Sequence, residues 1–346
     1  MSAKLLKVLS ALFLLLVSPL IQAQTPEGSF RDTTPEDFVA KNLPSKYYNE
    51  LWTYHADLND GIQLVVTFSI NDFGSSFKER VTGGKLMVAW KDGNSYVVNK
   101  EYSPDDLISE AEDHHLKLHP ERNYWAKGSL NDEHRLYYKT QKDGIKYDVD
   151  ITFYDIAQGK ALGDGEYNIG SHKLGLTIPM PHANVKGFIA INDDTVQVSG
   201  TGYMDHLYQD NLTTDLIDTS YRVKQGDDEN GFYFHFLKIK NNHSRSSIGY
   251  GVGYKNGMAY LISPSGIEVN RSKGDLDLQT TFGTYQDGKI EVEAYEMLNK
   301  YSLINELGSV QKFFVKKVVG GELIEMHGNA RINGSKEGYF YYMDAK

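Results

Sequence analysis

The stretch of sequence that decides the fold is residues 178–206, IPMPHANVKGFIAINDDTVQVSGTGYMDH. β-Branched and apolar residues alternate in part over Val185–Ile191 and again over Thr195–Ser199, which is typical of half-buried strands. Gly200 and Gly202 follow. Glycine inside a strand pattern indicates a bend or the close approach of another chain. The segment therefore predicts antiparallel strands that pack tightly against a neighbour.

Outward from this segment, nearly the whole chain has the pattern of short strands separated by turns. Strand-like runs include Ile62–Ile70, Lys85–Trp90, Tyr147–Phe153, Phe232–Ile239, Ile248–Tyr254, Met258–Ile262 and Gly338–Tyr342. Asp-Gly and Asn-Gly pairs, which favour two-residue hairpins, recur between such runs and predict antiparallel neighbours. Only Pro104–Ala111 and Ala294–Leu303 are predicted to be helical, together with one turn after the capping residue Thr34. An all-β fold follows, and these patterns leave sandwiches and barrels open.

The 346 residues predict more than one domain. Residues 1–24 have the pattern of a secretory signal peptide, with Lys4 and Lys7 before an apolar run. We place an N-terminal domain at residues 25–212 and a C-terminal domain at residues 213–346, divided in the polar stretch after Asn211. The signal peptide predicts a periplasmic or secreted protein.

Composition excludes several classes of function. The chain has no cysteine, so disulfides, thiolate metal sites and thiol nucleophiles are excluded. A secreted chain of this size without disulfides favours a bacterial periplasm. The formal net charge of −10 would repel a phosphate backbone, which argues against a nucleic-acid partner. Aromatic residues make up 12% of the chain, as in β-rich folds with apolar cavities.

The quoted segment resembles the hydroxyneurosporene synthase (carotenoid hydratase) family. In that family a proline-bearing strand leads to a hairpin, then to a strand that closes in S-G and a G-x-G-Y-x-D-H segment. The residues in register with it here are Gly200, Gly202, Tyr203, Asp205 and His206. The segment Tyr54–Phe73 also looks like the first strand of AttH-type proteins and the fungal survival factor. The resemblance implies two consecutive lipocalin-like antiparallel β-barrels.

The resemblance also implies a chemistry for this segment. Strand alternation puts Tyr203 and Asp205 on one face and His206 on the other. If the first face points into an apolar barrel, burial raises the pKa of Asp205 and keeps the carboxyl partly protonated. In a hydratase of this family Asp205 would protonate an alkene, and Tyr203 would hold the carboxyl or steer water. The alternative is structural, with Asp205 and His206 tying the barrels together.

Two departures from the family pattern bear on the ligand. The family often continues with Asn-Trp-Gly after the histidine, whereas this chain has Leu207-Tyr208-Gln209, so Tyr208 replaces the tryptophan as a packing aromatic. The strand before the prolines reads Leu174-Gly-Leu-Thr-Ile178 and lacks the polar and aromatic residues of carotenoid hydratases. A ligand or reaction other than carotenoid hydration is therefore favoured.

Further candidates for ligand contact are His206, Tyr208, Trp52, Tyr54 and Trp90. Ligand cavities are mostly apolar and aromatic, although core packing explains such residues equally well. His114, His115 and His119, beside Glu112 and Asp113, have no metal-site spacing, and we expect a solvated loop there. The sequence indicates no metal and no cofactor, since phosphate-loop, nucleophile-elbow and H-E-x-x-H motifs do not occur.

The sequence thus predicts a protein that binds an apolar isoprenoid or lipid. Two classes of function remain open. One is a cofactor-free hydro-lyase, isomerase or cyclase that uses Asp205 and Tyr203; the other is a non-catalytic lipid carrier or chaperone. An enzyme needs Asp205 within reach of the ligand, whereas a carrier needs only apolar walls and transient contact with a membrane surface. A glycan-binding β-sandwich with exposed aromatics is a third alternative.

Overall fold

The computed structural model describes residues 28–72, 80–118, 123–226, 230–241, 243, 245–255, 258–271, 278–284, 288–302, 321–334 and 336–345. The predicted signal peptide, residues 1–24, and His119 lie outside this part of the chain.

The first half of the chain forms a sheet of 14 antiparallel strands. Its strands are β1 (Phe30–Asp32), β2 (Asn49–Leu58), β3 (Gln63–Asn71), β4 (Val81–Ala89), β5 (Ser95–Tyr102), β6 (Leu107–Glu110), β7 (His115–Leu118), β8 (Tyr124–Gly128), β9 (His134–Lys142), β10 (Ile145–Tyr154), β11 (Lys160–Leu162), β12 (Glu166–Ile169), β13 (His172–Ile191) and β14 (Asp194–Gln209). The order along the sheet is β5-β4-β3-β2-β14-β13-β10-β9-β8-β7-β6, and β1, β11 and β12 pair beside β13.

The second half forms a sheet of nine antiparallel strands. A single turn of helix, α1 (Thr213–Leu216), leads into it. The strands are β15 (Ile217–Gly226), β16 (Asn230–Ile239), β17 (Ser247–Lys255), β18 (Met258–Ile262), β19 (Pro264–Arg271), β20 (Leu278–Thr284), β21 (Gly288–Ser302), β22 (Leu323–Ile332) and β23 (Lys336–Ala345). Their order is β18-β17-β16-β15-β23-β22-β21-β20-β19.

Both sheets have the same topology. Along the main path of each sheet, a long early strand pairs with the last one, β2 with β14 and β15 with β23, and the other strands on that path follow in chain order. Among the described strands, this path is open at the middle of the meander, between β5 and β6 in the first sheet and between β18 and β19 in the second. Each sheet therefore curls into a half-barrel whose first and last strands close it. The prediction of two consecutive lipocalin-like β-barrels is confirmed, and the sandwich alternative is wrong.

The prolines of the quoted segment lie inside β13, where they interrupt its pairing. The register between β13 and β14 shifts between Thr177 and Met180 and again between Met180 and Ala183. Pro179 and Pro181 occupy these two steps. Proline has no N–H to give to a ladder, so it is tolerated where the pairing is already irregular.

Both predicted helices are wrong. Pro104–Asp106 forms one turn of 3-10 helix, and the following residues form strand β6. Residues 294–302 continue strand β21, which pairs with β22 over most of its length. The long ladder satisfies the backbone groups and overrides the local helical preference. The turn expected after Thr34 is present as a 3-10 turn over Pro35–Asp37. Among the described residues, no helix has the length and apolar character needed to span a bilayer.

Most buried apolar side chains of the described residues belong to three large clusters, and a fourth, small cluster joins Val65 and Met87 to Tyr301 and Tyr341. The interior of the first barrel is lined from all its long strands, with Trp52, Tyr54 and Phe68 among its largest members. The interior of the second is rich in phenylalanine, including Phe234 and Phe282, whose rings lie 5.7 Å apart. A third cluster, which we call the junction layer, lies between the barrels; its members include Leu176, Ile178, Tyr203, Leu207, Tyr233, Leu237, Tyr250 and Tyr339. The two barrels therefore share a core.

We expect Gly200→Ala to destabilise the protein because of the tight β2–β14 pairing. A Cβ atom at Gly200 would lie 2.0 Å from the carbonyl oxygen of Asp57 and 2.9 Å from the Cα atom of Leu58, both fixed in the ladder. The cost should be about 1–3 kcal/mol, as for overpacking in cores. Urea unfolding measures it. Gly266→Ala, whose Cβ would meet nothing within 4 Å, is the control and should change stability little; equal losses in both variants would contradict the argument.

Candidate functional site

Strand β14 contributes side chains to two cores, which is what creates the site. Met204 and Tyr208 point into the first barrel, whereas Tyr203 and Leu207 belong to the junction layer. Strand β16 alternates in the same way, because its phenylalanines fill the second barrel and Tyr233 enters the junction layer. The outward faces of the two barrels therefore meet where the quoted segment runs.

Asp205 lies in this junction layer with no solvent exposure. Arg222 on β15 donates from Nε to Oδ2 of Asp205 (2.6 Å) and from Nη2 to Oδ1 (3.1 Å). The hydroxyl of Tyr233 also donates to Oδ2. The ring nitrogen Nδ1 of His235 lies 3.3 Å from the same oxygen. One carboxylate from the first barrel thus joins three side chains of the second.

The surroundings of Asp205 keep its carboxyl ionised. Burial by itself would raise the pKa, but the charge of Arg222 and the contact with His235 outweigh it and hold the pKa of Asp205 well below its ordinary value. The expected raised pKa is therefore wrong. That expectation assumed that the face of β14 carrying Asp205 points into an apolar barrel, whereas in the structure this face packs against the guanidinium of Arg222. For Asp205 the geometry corresponds to the structural alternative, a residue that ties the barrels together, whereas His206, which that alternative also placed at the junction, bonds within the first barrel.

Tyr203 lies beside this ion pair and has a different environment. Its ring stacks on that of His55, with centroids 4.6 Å apart, and tilts against Tyr233 at 4.4 Å. Among the described residues, the hydroxyl of Tyr203 and both ring nitrogens of His55 have no hydrogen-bond partner. Burial raises the pKa of Tyr203 and lowers the pKa of His55, each strongly, so both side chains are neutral. They form a buried pair of hydrogen-bonding groups free to meet a polar atom.

A cleft of about 370 Å³ adjoins the junction layer. Its walls come from both barrels and include Asp57, Gln63, Thr201, Lys224, Asn329 and Tyr339. The ammonium of Lys224 lies 2.9 Å from Oδ2 of Asp57 and bonds to the hydroxyl of Thr201. It also lies over the ring of Tyr203, 5.5 Å from its centroid. Lys224 therefore lies between the cleft and Tyr203.

His206 and Trp52 lie on the opposite face of the sheet, in the first barrel. The ring nitrogens of His206 lie 2.6 Å from the carbonyl oxygen of Asp37 and 2.7 Å from Oε1 of Glu50. The indole of Trp52 stacks on the imidazole at 4.7 Å and donates to the carbonyl oxygen of Phe38 (2.7 Å). Alternation along β14 thus separates His206 from Tyr203 and Asp205.

The remaining aromatic candidates also belong to the first barrel. The hydroxyl of Tyr54 pairs with Nε2 of His134 (3.0 Å), and the hydroxyl of Tyr208 donates to Glu166 (2.8 Å). Trp90 is 5% exposed and packs in the same core. These residues make ordinary core contacts, and the structure does not bring them to the junction layer.

The histidine-rich segment is split between surface and core. His115 pairs with Glu110 at the surface (3.0 Å), whereas His114 packs edge-on against Phe38, with ring centroids 5.4 Å apart. Within the described ranges, no group of three or more histidine, aspartate or glutamate side chains is arranged to hold a metal ion. His119 lies outside those ranges.

Sequence reasoning missed the partners of Asp205. Arg222 and Lys224 alternate with Tyr221 and Val223 on β15, and this pattern marks them as facing away from the barrel interior. On a half-barrel that face ordinarily meets solvent. Arg222, Lys224 and His235 are buried, each 5% exposed or less, only because the first barrel packs against this face of the second.

Comparison with solved structures supports the same architecture. A protein from Nitrosomonas europaea that carries the name AttH superimposes with a TM-score of 0.60 and 13% identity, over 90% of this chain and 96% of that one. CghA, solved with Sch210972, gives a TM-score of 0.58 and 12% identity, over 91% and 98%. Kievitone hydratase from Nectria haematococca gives 0.52 and 12%, over 92% and 96%.

These likenesses establish the fold. One of the structures that share it carries the name AttH and another is named a hydratase. By sequence, no family model and no curated protein matches this chain.

Removing one partner of the Asp205–Arg222 pair should be costly. Asp205→Ala leaves a buried guanidinium uncompensated, and we expect a loss of about 3–5 kcal/mol in the free energy of unfolding. The double variant D205L/R222M should recover most of it, because apolar replacement of a buried pair is close to neutral.

The control is Asp150→Ala, which removes the partner of the surface residue Arg135 (2.7 Å) and should cost under about 1 kcal/mol. Chemical denaturation of the four proteins compares these values. A single variant at Asp205 as mild as Asp150→Ala would contradict the electrostatic argument.

Stability should fall as the pH drops below 6.5, because buried histidines cannot take up protons. Burial lowers the pKa of His134 and of His327 to about 3, while the unfolded chain binds these protons near pH 6.5. Between those values the unfolded state holds more protons, so each residue destabilises the fold by about 1.4 kcal/mol per pH unit of acidification. Denaturation at pH 6.5, 5.5 and 4.5 measures the slope; a flat profile would contradict it.

Proposed function

We propose that this protein binds an apolar small molecule of the isoprenoid or lipid class between its two barrels, with a polar oxygen of the ligand held at Tyr203. The observation that carries the proposal is the buried pair Tyr203 and His55, whose hydroxyl and ring nitrogens have no partner among the described residues. Leaving a buried polar group unpaired costs about 1–3 kcal/mol, and a ligand that supplies the missing partner removes that cost.

The protonation states define what this pair recognises. Tyr203 is neutral and can donate its hydroxyl proton, and neutral His55 offers one donor and one acceptor nitrogen. A carbonyl or hydroxyl oxygen matches such a pair. The surrounding tyrosines and leucines of the junction layer, such as Tyr233 and Leu207, provide apolar contact for the rest of the molecule.

Chemistry at this site would depend on Tyr203 more than on Asp205. A carboxylate held by Arg222 has no proton to give an alkene, so Asp205 becomes an acid only if that guanidinium moves away. Hydrogen bonding from Tyr203 polarises an oxygen or orients a water molecule and needs no cofactor. Cofactor-free hydratase, isomerase or cyclase activity is therefore assigned to Tyr203, with Asp205 as a positioning residue.

The comparisons support a small-molecule ligand. One structure of the same fold is named a hydratase, and another was solved with the small molecule Sch210972. The alternative of a carrier that shields a lipid in the periplasm uses the same site without chemistry. For either function we propose secretion through the signal peptide, transient contact with membrane surfaces and no nucleic-acid partner.

Tyr203→Phe should weaken ligand retention without unfolding the protein. The variant removes one hydroxyl, and we expect roughly fivefold less ligand to co-purify, as for the loss of one hydrogen bond. Native mass spectrometry with solvent extraction of the mature protein measures this. Tyr221→Phe is the matched control, because it also removes the hydroxyl of one buried tyrosine, which lies inside the second barrel and away from the junction layer.

The same measurement separates the two functions. A co-purified molecule that wild type alters chemically and Tyr203→Phe does not would identify an enzyme. A molecule held unchanged by wild type would identify a carrier. Equal retention by both variants would contradict the assignment to Tyr203, and the absence of any apolar ligand would contradict the proposal as a whole.

A further inference from the structure

The wall of the cleft carries an ordered row of polar side chains. Gln63, Asp57 and Thr201 are direct register partners across strands β3, β2 and β14. Side chains opposite one another on neighbouring strands point to the same face, with Cβ atoms about 5 Å apart. All three line the cleft, and Lys224 reaches Asp57 and Thr201 from the second barrel.

A chain of hydrogen bonds fixes the orientation of the Gln63 amide. The carboxylate of Glu296 can only accept, so the neighbouring amide nitrogen of Asn329 must donate to it (2.8 Å). The side-chain oxygen of Asn329 then faces Gln63 and accepts from Nε2 (3.0 Å). The oxygen Oε1 of Gln63 therefore lies at the end of this series of hydrogen bonds, where it can accept from a further donor.

Two acceptor oxygens in the cleft wall are buried without a partner among the described residues. They are Oε1 of Gln63, a side chain 6% exposed, and Oδ1 of Asp57. Both call for a hydrogen-bond donor. A cationic donor is disfavoured because Lys224 already holds the other oxygen of Asp57. An anion is disfavoured by the Asp57 carboxylate itself, so neutral hydroxyl groups fit the pair.

We propose that this cleft binds a vicinal diol, with one hydroxyl donating to Oε1 of Gln63 and the other to Oδ1 of Asp57. The ammonium of Lys224, which bonds to Oδ2 of Asp57 and to the hydroxyl of Thr201, lies in the wall of the same cleft and can complete the hydrogen bonding of the diol. The inference rests on the proposed function, since the diol is the polar head of a ligand whose apolar part enters the junction layer. It makes Gln63 a specificity-determining residue.

The test compares amphiphiles that share a ten-carbon chain and differ in the head group. The probes are 1-monodecanoylglycerol, which carries a vicinal diol, methyl decanoate, decanoate and decylamine, each below its critical micelle concentration. Isothermal titration calorimetry of the full-length mature protein gives the dissociation constants. We expect the monodecanoylglycerol to bind at least about tenfold more tightly than methyl decanoate, for two added hydrogen bonds.

Matched glutamine variants assign the preference to the cleft. Gln63→Met removes the acceptor and should reduce the preference for the diol by about fivefold. Gln209→Met is the control: Gln209 is 1% exposed and its Oε1 also lacks a partner among the described residues. Its Nε2 donates to Thr213, and it does not line the cleft. Circular dichroism checks that both variants fold.

The possible outcomes separate this inference from the proposed function. Equal affinity for all four amphiphiles, or a stronger preference for decylamine or decanoate, would overturn the diol assignment and leave the junction site standing. Binding of none would overturn both. The wild-type comparison remains decisive if Gln63→Met fails to fold, and equal losses in the two variants would overturn the role of Gln63.

Discussion

The alternation of side chains along strand β14 is the constraint on which the rest of the structure depends. A strand at the wall of a solitary barrel needs apolar residues on one face only, but residues 202–209 of this strand are buried on both. Its inward residues complete the first barrel, and its outward residues form a core shared with the second. A polar group on this outward face is therefore shielded from water and needs a partner on the other barrel or on a ligand.

The charged groups of the junction satisfy that requirement in pairs. Asp205 pairs with Arg222, Asp57 with Lys224, and Lys85 with Glu325, and each pair joins one barrel to the other. Buried ion pairs add little net stability compared with apolar packing, but an unmatched member is expensive. The pairs therefore mainly determine how the two barrels are positioned against each other. The favoured arrangement is the one in which these three cations each lie beside a carboxylate of the other barrel.

This arrangement also determines which groups are left for a ligand. Asp205 has the residue type expected of an acid, yet it is saturated by Arg222 and Tyr233. The hydroxyl of Tyr203 and the acceptor oxygen of Gln63 instead have no hydrogen-bond partner within the part of the chain that the structure describes. The chemical character of the site thus shifts from proton donation towards hydrogen-bond recognition. The shift follows from a single cation placed opposite the carboxylate, because its charge outweighs the effect of burial on the pKa.

The sequence by itself determined the local properties of the chain. Alternating β-branched and aromatic residues and Asp-Gly or Asn-Gly turns were enough for an all-β fold, and the resemblance of the segment around Tyr203 and Asp205 to a known family implied tandem barrels. It also separated Tyr203 and Asp205 from His206, since the period of a strand is a local property. The helices expected at 104–111 and 294–303 failed because ladder pairing is not local.

Tertiary structure alone decided that the outward face of β14 would meet Arg222 rather than an apolar cavity, and that Gln63 and Lys224 would share a cleft. Those contacts join residues more than a hundred positions apart or on separate barrels, and their energies depend on packing that no local pattern encodes.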